Sequence, residues 1–206
     1  AAPIDRRADL DQLLHHLGVE RAALLGCSLS GEVLLDFALE QPQKVTALIL
    51  VSTAPGGFEL QGEPPAHLFE MLGAIEHSDF ALASELQTRI SIDGPFRQPE
   101  QVDPRVRQRV IEMNRLALAN GGVQAGFQPA NPLDPPAVQR LAEIHCPTLI
   151  IAGELDHPEI LRAADVMAAA IPGARKVLIP NSAHLPNMER PVEFNQAVMD
   201  FLHNLS

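Results

Sequence analysis

Leucines recur on one face of a predicted helix near the start of the chain. They follow the i, i+3, i+4, i+7 spacing of an amphipathic α-helix: Leu10, Leu13, Leu14 and Leu17. Asp9 is suited to cap the first turn, and Gly18 is suited to end the last one. The pattern therefore predicts a short helix over residues 9–18.

Two apolar runs flank a second helix. Residues 22–27 and 45–52 are continuous hydrophobic stretches of strand length, typical of strands buried on both faces of a parallel sheet. Residues 30–41, between them, predict a helix whose charges recur every four residues and form one narrow solvent stripe: Glu32, Asp36 and Glu40. Strand, helix and strand in this order predict a βαβ unit.

The middle of the chain departs from this alternation. Pro and Gly become frequent, and the apolar spacing predicts helices without a convincing strand. The predicted helices span residues 65–76, 79–90 and 104–119. We interpret residues 55–137 as a helical insertion.

Alternation of helices and strands then returns. Predicted strands at 148–152 and 176–179 are interleaved with three predicted helices: 135–144, 160–171 and 192–205. The whole pattern predicts an α/β fold, a mostly parallel sheet with flanking helices. Residues 1–54 and 138–206 would form its core, with a helical cap at 55–137.

Charge and composition exclude several classes of partner. The net charge of −11 and the pI near 5.1 give a surface that repels phosphate backbones and anionic lipids. Apolar runs are too short for the roughly 20 residues that cross a bilayer, and no leader pattern begins the chain. We therefore expect neither a nucleic-acid nor a membrane partner. Two cysteines are too few for a disulfide framework, which favours a cytoplasmic protein.

A serine lies where the first predicted strand turns into the next helix. The segment GCSLSG at residues 26–31 has small residues two positions before and after Ser28, so that strand and helix can pass closely. Such a turn lifts the hydroxyl clear of the sheet, near a helix N-terminus where the Leu29 amide can stabilise an oxyanion. Ser28 is the predicted nucleophile. The alternative is a helix-capping serine beside packing glycines.

A serine nucleophile needs a base and an acid that orients the base. Of eight histidines, His184 combines a loop after a strand with a position near the C-terminus, although an ordinary surface-loop histidine is the alternative. Asp156 follows the strand that ends at residue 152 and is the predicted acid. Glu154 is its close competitor and Asp134 a distant one. The alternative for Asp156 is an ordinary loop carboxylate.

The three residues agree in placement and in chain order. Ser28, Asp156 and His184 each follow the carboxyl end of a predicted parallel strand, and this edge is where open α/β sheets bind ligands. The stretches GCSLSG, PTLIIAGELD (147–156) and PNSAHLPNMERP (180–191) resemble the nucleophile, acid and histidine segments of the α/β-hydrolase fold family. The resemblance extends over nearly the whole chain and implies a cap over the site. It is nearest to the esterase, enol-lactonase and C–C hydrolase groups.

The resemblance has departures. The family often has Gly where this chain has Ser30 and Ala183, both of which are small. The family also normally begins with further strands and a His-Gly oxyanion loop. We therefore expect the protein to have a further N-terminal portion. This portion is a separate chain, has been removed, or is absent from this sequence. Loss of one oxyanion donor typically costs about 10²–10³ in turnover, so a chain without that portion should be badly impaired.

Other residues carry weaker signals. No metal motif, nucleotide-binding loop or cofactor motif occurs, so we expect neither a metal nor a cofactor. Arg97 could meet a substrate carboxylate or be a surface arginine. Phe58, Met71 and Phe96 could line an acyl pocket or belong to the core of the cap.

The predicted function is acyl transfer to water on a Ser-His-Asp triad. The resemblance implies a small-molecule ester or lactone as the substrate. One alternative is hydrolysis of a carbon–carbon bond by the same triad. A second alternative is a ligand receptor that kept the triad without turnover.

Overall fold

A computed structural model describes residues 4–122 and 131–205. Its helices and strands follow the chain in the order α1 (Arg6–His16), β1 (Ala22–Cys27), α2 (Leu29–Glu40), β2 (Val45–Val51), α3 (Leu68–Glu76), α4 (Phe80–Thr88), α5 (Pro104–Ala119), β3 (Thr148–Gly153), α6 (Pro158–Ala170), β4 (Arg175–Ile179), α7 (Pro186–Glu189) and α8 (Pro191–His203). In the described part of the chain, no helix is long and apolar enough to cross a membrane.

The four strands form one parallel sheet in the order β1-β2-β3-β4. Cys27 pairs with Val51, and Val51 pairs with Ile151, so the carboxyl ends of the first three strands are aligned. Gly153 pairs with Ile179 at the end of β4. The loops that follow all four strands therefore leave the sheet at one edge, as the sequence predicts.

Helices cover the two faces of the sheet. On one face, β-strand leucines and isoleucines pack with α2 and α6, and this cluster includes Leu35, Leu50 and Met167. On the other face, Ile49 and Ile151 join a cluster with the aromatic rings of α8, Phe194 and Phe201. Burial of both faces explains why β2 and β3 are continuous apolar runs.

The prediction that β1 is buried on both faces is wrong for one face. Ala23 and Leu25 are exposed, whereas Leu24 and Gly26, which point to the opposite face, are buried. Within the described residues β1 is an outer strand that pairs with β2 alone. The cluster around Phe194 extends to Cys27 but does not include Leu25. An apolar sequence alone could not distinguish this partly covered strand from β2.

Two helix predictions need correction. α1 begins at Arg6, because the carboxylate of Asp5 accepts the Ala8 amide at 3.1 Å and caps the first turn in place of Asp9. The helix predicted at 135–144 is two short 3-10 turns, Ala137–Gln139 and Leu141–Glu143. Arg140, between them, has φ −119° and ψ 7°, outside helical values, so the apolar spacing there reflects burial without a continuous helix.

The predicted charged stripe of α2 is not fully solvent-facing. Asp36 is buried, and its Oδ2 accepts a hydrogen bond from Arg7 Nη1 at 3.1 Å. Arg7 also reaches Glu40, with 2.8 Å between Nε and the carboxylate, and donates to the Asn131 carbonyl oxygen at 2.6 Å. The side chains of Arg7 and Asp36 are only 10% and 11% exposed. α1 thus packs on α2 through a buried ion pair.

Removing one member of this pair should be costly. We expect Arg7→Leu to lower the free energy of unfolding by about 3–5 kcal/mol, because Asp36 stays buried without its cation. Urea denaturation of the variant and of the wild type measures the difference. The double change Arg7→Leu with Asp36→Leu should recover much of the loss. Arg105→Gln, which removes an exposed partner of Asp103, should leave the midpoint unchanged. Equal midpoints for Arg7→Leu and the wild type would contradict the expectation.

In the described residues between β2 and β3, the regular secondary structure is helical and no strand occurs. α3, α4 and α5 pack around Ala74, Ala83 and Leu118. α4 continues into a π-helical turn, Arg89–Asp93, a geometry that is frequent at functional sites. Residues 123–130 of the predicted insertion lie outside the described residues. The domain boundaries at 54/55 and 137/138 stay a prediction.

Candidate active site

The turn at Ser28 has the strained geometry expected of an exposed nucleophile. Its φ of 55° and ψ of −126° are sparsely populated for a residue with a side chain. The turn is held because the Ser28 amide donates to the Val51 carbonyl oxygen at 2.9 Å and the Ser28 carbonyl oxygen accepts from Thr53 Oγ1 at 2.6 Å. These bonds connect the end of β1 firmly to the end of β2.

Close packing explains the small residues of this turn. A Cβ added at Gly26 would lie 2.8 Å from the backbone of Ser30, and one added at Gly31 would lie 2.7 Å from the Thr53 side chain. Larger residues would push the strand and the helix apart. Leu29 is the first residue of α2, where an amide has no acceptor within the helix. Its N–H is thus available for an anion beside Ser28.

His184 and Asp156 form a direct contact at the same edge of the sheet. The Nδ1 atom of His184 lies 3.1 Å from each carboxylate oxygen of Asp156. Asp156 is only 2% exposed, and its Oδ1 also accepts the His157 amide at 2.7 Å. A carboxylate in this position fixes the ring orientation and leaves Nε2 directed away from the acid. Both competitors, Glu154 and Asp134, are exposed.

The loop that carries His184 lies next to the turn that carries Ser28. Cys27 Sγ is 3.9 Å from the His184 carbonyl oxygen, so the residue before Ser28 contacts the backbone of His184. Across the described ranges, no hydrogen bond joins the Ser28 hydroxyl to the His184 ring. Such hydrogen bonds are often long before substrate binds. The structure therefore brings Asp156 and His184 together, and it places the end of β1, next to Ser28, against the backbone of His184.

A cavity of about 430 Å³ opens beside Asp156 and His184, and its lining does not include Ser28 or Leu29. Asp156 and His184 lie in its wall, together with His157. Most of the remaining wall is apolar or proline-rich. It comes from the loop after β2, the π-helical turn, the segment that follows this turn and the start of α6: Leu60, Pro65, Ala66, Ile90, Gly94, Pro95, Pro99 and Ile160. The cavity is large enough for a small organic molecule.

The four predicted pocket residues have different surroundings. Arg97 lies in the cavity wall, but its guanidinium forms an ion pair with the buried Glu189 at 2.8 Å. Phe58, Met71 and Phe96 lie outside the cavity lining. Phe58 stacks under the Arg162 guanidinium at 4.1 Å, Met71 is buried in α3, and Phe96 is 59% exposed. The walls of the cavity thus differ from the predicted acyl pocket at these three positions.

The cysteine beside Ser28 is poorly suited to act as a second nucleophile. Burial, with a smaller contribution from the negative charge of Asp156, raises the pKa of Cys27 to about 12. The thiolate fraction near neutral pH is therefore very small.

Two residues that hold the loop of His184, Ser91 and Glu189, were not singled out from the sequence. Ser91 accepts the His184 amide at 3.1 Å through its carbonyl oxygen, and Glu189 accepts the Ala183 amide at 2.7 Å. His157 caps α6 by accepting the Glu159 amide at 3.3 Å. For Glu189, the signal in the sequence was its position within the histidine segment, residues 180–191. Within residues 4–122 and 131–205, no group of three or more His, Cys, Asp or Glu side chains is arranged to hold a metal.

The chain is similar to several known proteins. A protein of Pseudomonas putida named 2-hydroxy-6-oxononadienedioate/2-hydroxy-6-oxononatrienedioate hydrolase 2 is 30% identical over 213 residues, covering 95% of this chain and 67% of the relative. A pimeloyl-acyl-carrier-protein methyl ester esterase of Yersinia enterocolitica is 27% identical over 200 residues, covering 94% of this chain and 74% of the relative. The crystal structure of a hydrolase from Pseudomonas aeruginosa superimposes with a TM-score of 0.72 at 29% identity, covering 98% of this chain and 74% of that one.

These similarities define the class of the protein: it is an enzyme of the hydrolase class. The family follows from a match along most of the chain. Residues 4–191 match the model of the alpha/beta hydrolase fold, and the chain belongs to that family.

Proposed function

We propose that this protein hydrolyses a small carboxylic ester through an acyl-enzyme formed on Ser28. The observation that carries the proposal is the contact between His184 and Asp156 in the wall of the cavity. Ser28, on a strained turn at the same edge of the sheet, is the neighbouring hydroxyl that this pair can activate.

The first half of the reaction forms the acyl-enzyme. His184 Nε2 takes the Ser28 hydroxyl proton as Oγ attacks the carbonyl carbon of the ester. The carbonyl oxygen becomes an oxyanion, which the Leu29 amide stabilises. When the intermediate collapses, the carbon–oxygen bond to the alcohol breaks, and His184 returns the proton to the departing alkoxide. Asp156 remains ionised and stabilises the imidazolium.

The second half releases the acid. Water attacks the acyl carbon while His184 takes one of its protons, and a second tetrahedral intermediate forms. Its collapse breaks the bond to Ser28 Oγ, which regains its proton from His184. The products are a carboxylic acid, an alcohol and the unchanged enzyme. No step requires a cofactor.

The cavity supports a small and mainly apolar substrate. Its volume of about 430 Å³ and its wall of leucine, isoleucine and proline side chains favour a short acyl group over a polymer. A lactone would react in the same way, with alcohol and acid remaining in one molecule. The esterase of Yersinia enterocolitica, at 27% identity, supports the choice of an ester.

A carbon–carbon bond hydrolase is the second candidate. The observation that favours it is the relative from Pseudomonas putida at 30% identity, which is named as a hydrolase of 2-hydroxy-6-oxo dioates. The same triad could attack a ketone carbonyl and expel a carbon leaving group. A ligand receptor without turnover is the remaining alternative.

Two measurements test the proposal: covalent labelling of the serine and turnover of esters. We expect the native protein to gain the mass of one fluorophosphonate adduct, located at Ser28 by peptide mass spectrometry, and to hydrolyse p-nitrophenyl esters with a preference for short acyl chains. Labelling without turnover of any ester would favour the receptor. Turnover of a vinylogous diketone alone would favour the carbon–carbon hydrolase. Absence of both labelling and turnover would refute an activated serine.

A further inference from the structure

A largely buried ion pair between Arg97 and Glu189 contacts the loop that carries His184. Arg97 Nη1 is 2.8 Å from Glu189 Oε2, and their side chains are only 11% and 5% exposed. Burial raises the pKa of Glu189 above its ordinary value, and the hydrogen bond from Arg97 opposes this rise. The pair adds little net free energy of unfolding, because desolvation of two charges offsets much of their attraction.

The second oxygen of Glu189 holds the histidine loop. Oε1 accepts the Ala183 amide at 2.7 Å, immediately before His184. Ala183 is fully buried, and its carbonyl oxygen would lie 2.0 Å from a Cβ added at Gly153, which shows how tightly the loop packs on β3. One carboxylate therefore holds the peptide next to His184, in a loop that packs closely on β3.

Arg97 connects this carboxylate to the cavity wall. Its Nε donates to the Asp93 carbonyl oxygen at 3.1 Å, and its Nη1 donates to the Asn181 carbonyl oxygen at 3.4 Å. Its Nη2 donates to the Ile92 carbonyl oxygen. The same π-helical turn supplies the Ser91 carbonyl oxygen that accepts the His184 amide at 3.1 Å. Arg97 thus joins the π-helical turn to the histidine loop.

We propose that Glu189 is a positioning residue: its hydrogen bond to the Ala183 amide, held by Arg97, sets the orientation of the His184 ring between Asp156 and Ser28. This inference rests on the proposed function for its kinetic consequence. A histidine displaced by about 1 Å can cost on the order of 10² in rate, so a small shift of the loop matters.

Two double variants isolate the hydrogen bond. Arg97→Met with Glu189→Gln and Arg97→Met with Glu189→Leu both remove the two charges, so neither leaves a buried ion unpaired. They differ in one respect, because Gln retains an oxygen for the Ala183 amide and Leu does not. Glu193→Gln, which breaks the more exposed pair with Arg190, is the matched control near the same loop. Thermal unfolding establishes that each variant is folded.

The first readout requires no turnover. A proton on His184 Nδ1 that bonds to Asp156 gives a downfield proton resonance, which is lost when the ring moves and the proton exchanges with water. We expect the resonance in the wild type, in the Gln double variant and in the Glu193→Gln control, and its loss in the Leu double variant. Persistence of the resonance in the Leu double variant would overturn the proposal, as would equal loss in both double variants.

The second readout separates chemistry from binding. With active sites counted by fluorophosphonate, kcat of the Leu double variant should fall on the order of 10²-fold, with KM within about three-fold of the wild type. If the Leu double variant does not fold, Glu189→Asp takes its place. Asp keeps the negative charge, but its side chain is one methylene shorter, so the carboxylate lies farther from the Ala183 amide. An unchanged resonance and unchanged kcat in that variant would also overturn the proposal. A wild type without turnover would defeat the proposed function, while the resonance would still decide the role of Glu189.

Discussion

Replacing Ser28 with alanine is expected to lower kcat for a p-nitrophenyl ester by about 10⁴–10⁶-fold, with the fold intact. The variant lacks the oxygen that attacks the carbonyl carbon, and neither His184 nor the Leu29 amide can substitute for it. The residual rate would come from binding and from oxyanion stabilisation alone. Initial rates with an activated ester, corrected for the uncatalysed reaction, measure the loss.

The neighbouring serine provides a matched control. Ser30 is exposed, and alanine is equally small, so Ser30→Ala should keep the strand and helix in contact and retain turnover within about three-fold. Circular dichroism and the unfolding midpoint should agree among the wild type and both variants. Ser28→Ala with undiminished turnover would show that the nucleophile lies elsewhere.

Replacing Asp156 with asparagine should have the next largest effect, a fall in kcat of about 10⁴-fold near neutral pH. Asn has nearly the same shape, but its amide can donate to His184 Nδ1. The neutral ring would then carry its proton on Nε2, where a base is required to take one from Ser28. The loss of negative charge also removes the stabilisation of the imidazolium. The measurement is kcat over a range of pH values.

Glu154 offers the control for this change. It was the close competitor of Asp156 for the role of the acid, and it is exposed in the same loop. Glu154→Gln should therefore leave kcat nearly unchanged. A larger fall for Glu154→Gln than for Asp156→Asn would reverse the assignment of the acid, although the serine mechanism itself would survive.

Much of the sheet could be predicted from local pattern. β2 and β3 are continuous apolar runs, and apolar strands that alternate with helices have few arrangements other than a parallel sheet covered on both faces. The turn at Ser28 is similarly local, because the close approach of Gly26 to Ser30 demands small residues at fixed positions. The match of residues 4–191 to the alpha/beta hydrolase fold confirms the fold and the family.

The cap and the cavity were much harder to predict. Apolar residues at 137, 141 and 144 share the spacing of a helix, but they lie in two 3-10 turns and directly after the second one, since burial alone produces the same pattern. Phe58, Met71 and Phe96 were chosen for their chemistry, while the residues that line the cavity come from loops without periodicity. In a loop, the side chains that face a cavity depend on the path of the backbone, which the sequence pattern does not reveal.

By itself, the sequence determined where the strands lie along the chain, the turn that carries Ser28, and the loops that carry Asp156 and His184. These features depend on residues close together in the chain, where hydrophobic period and steric limits act directly. Only the tertiary structure decided that Asp36 is buried against Arg7, that Arg97 pairs with Glu189, and which face of β1 is open. Such contacts join residues far apart in sequence, and their energies depend on burial that no local pattern encodes.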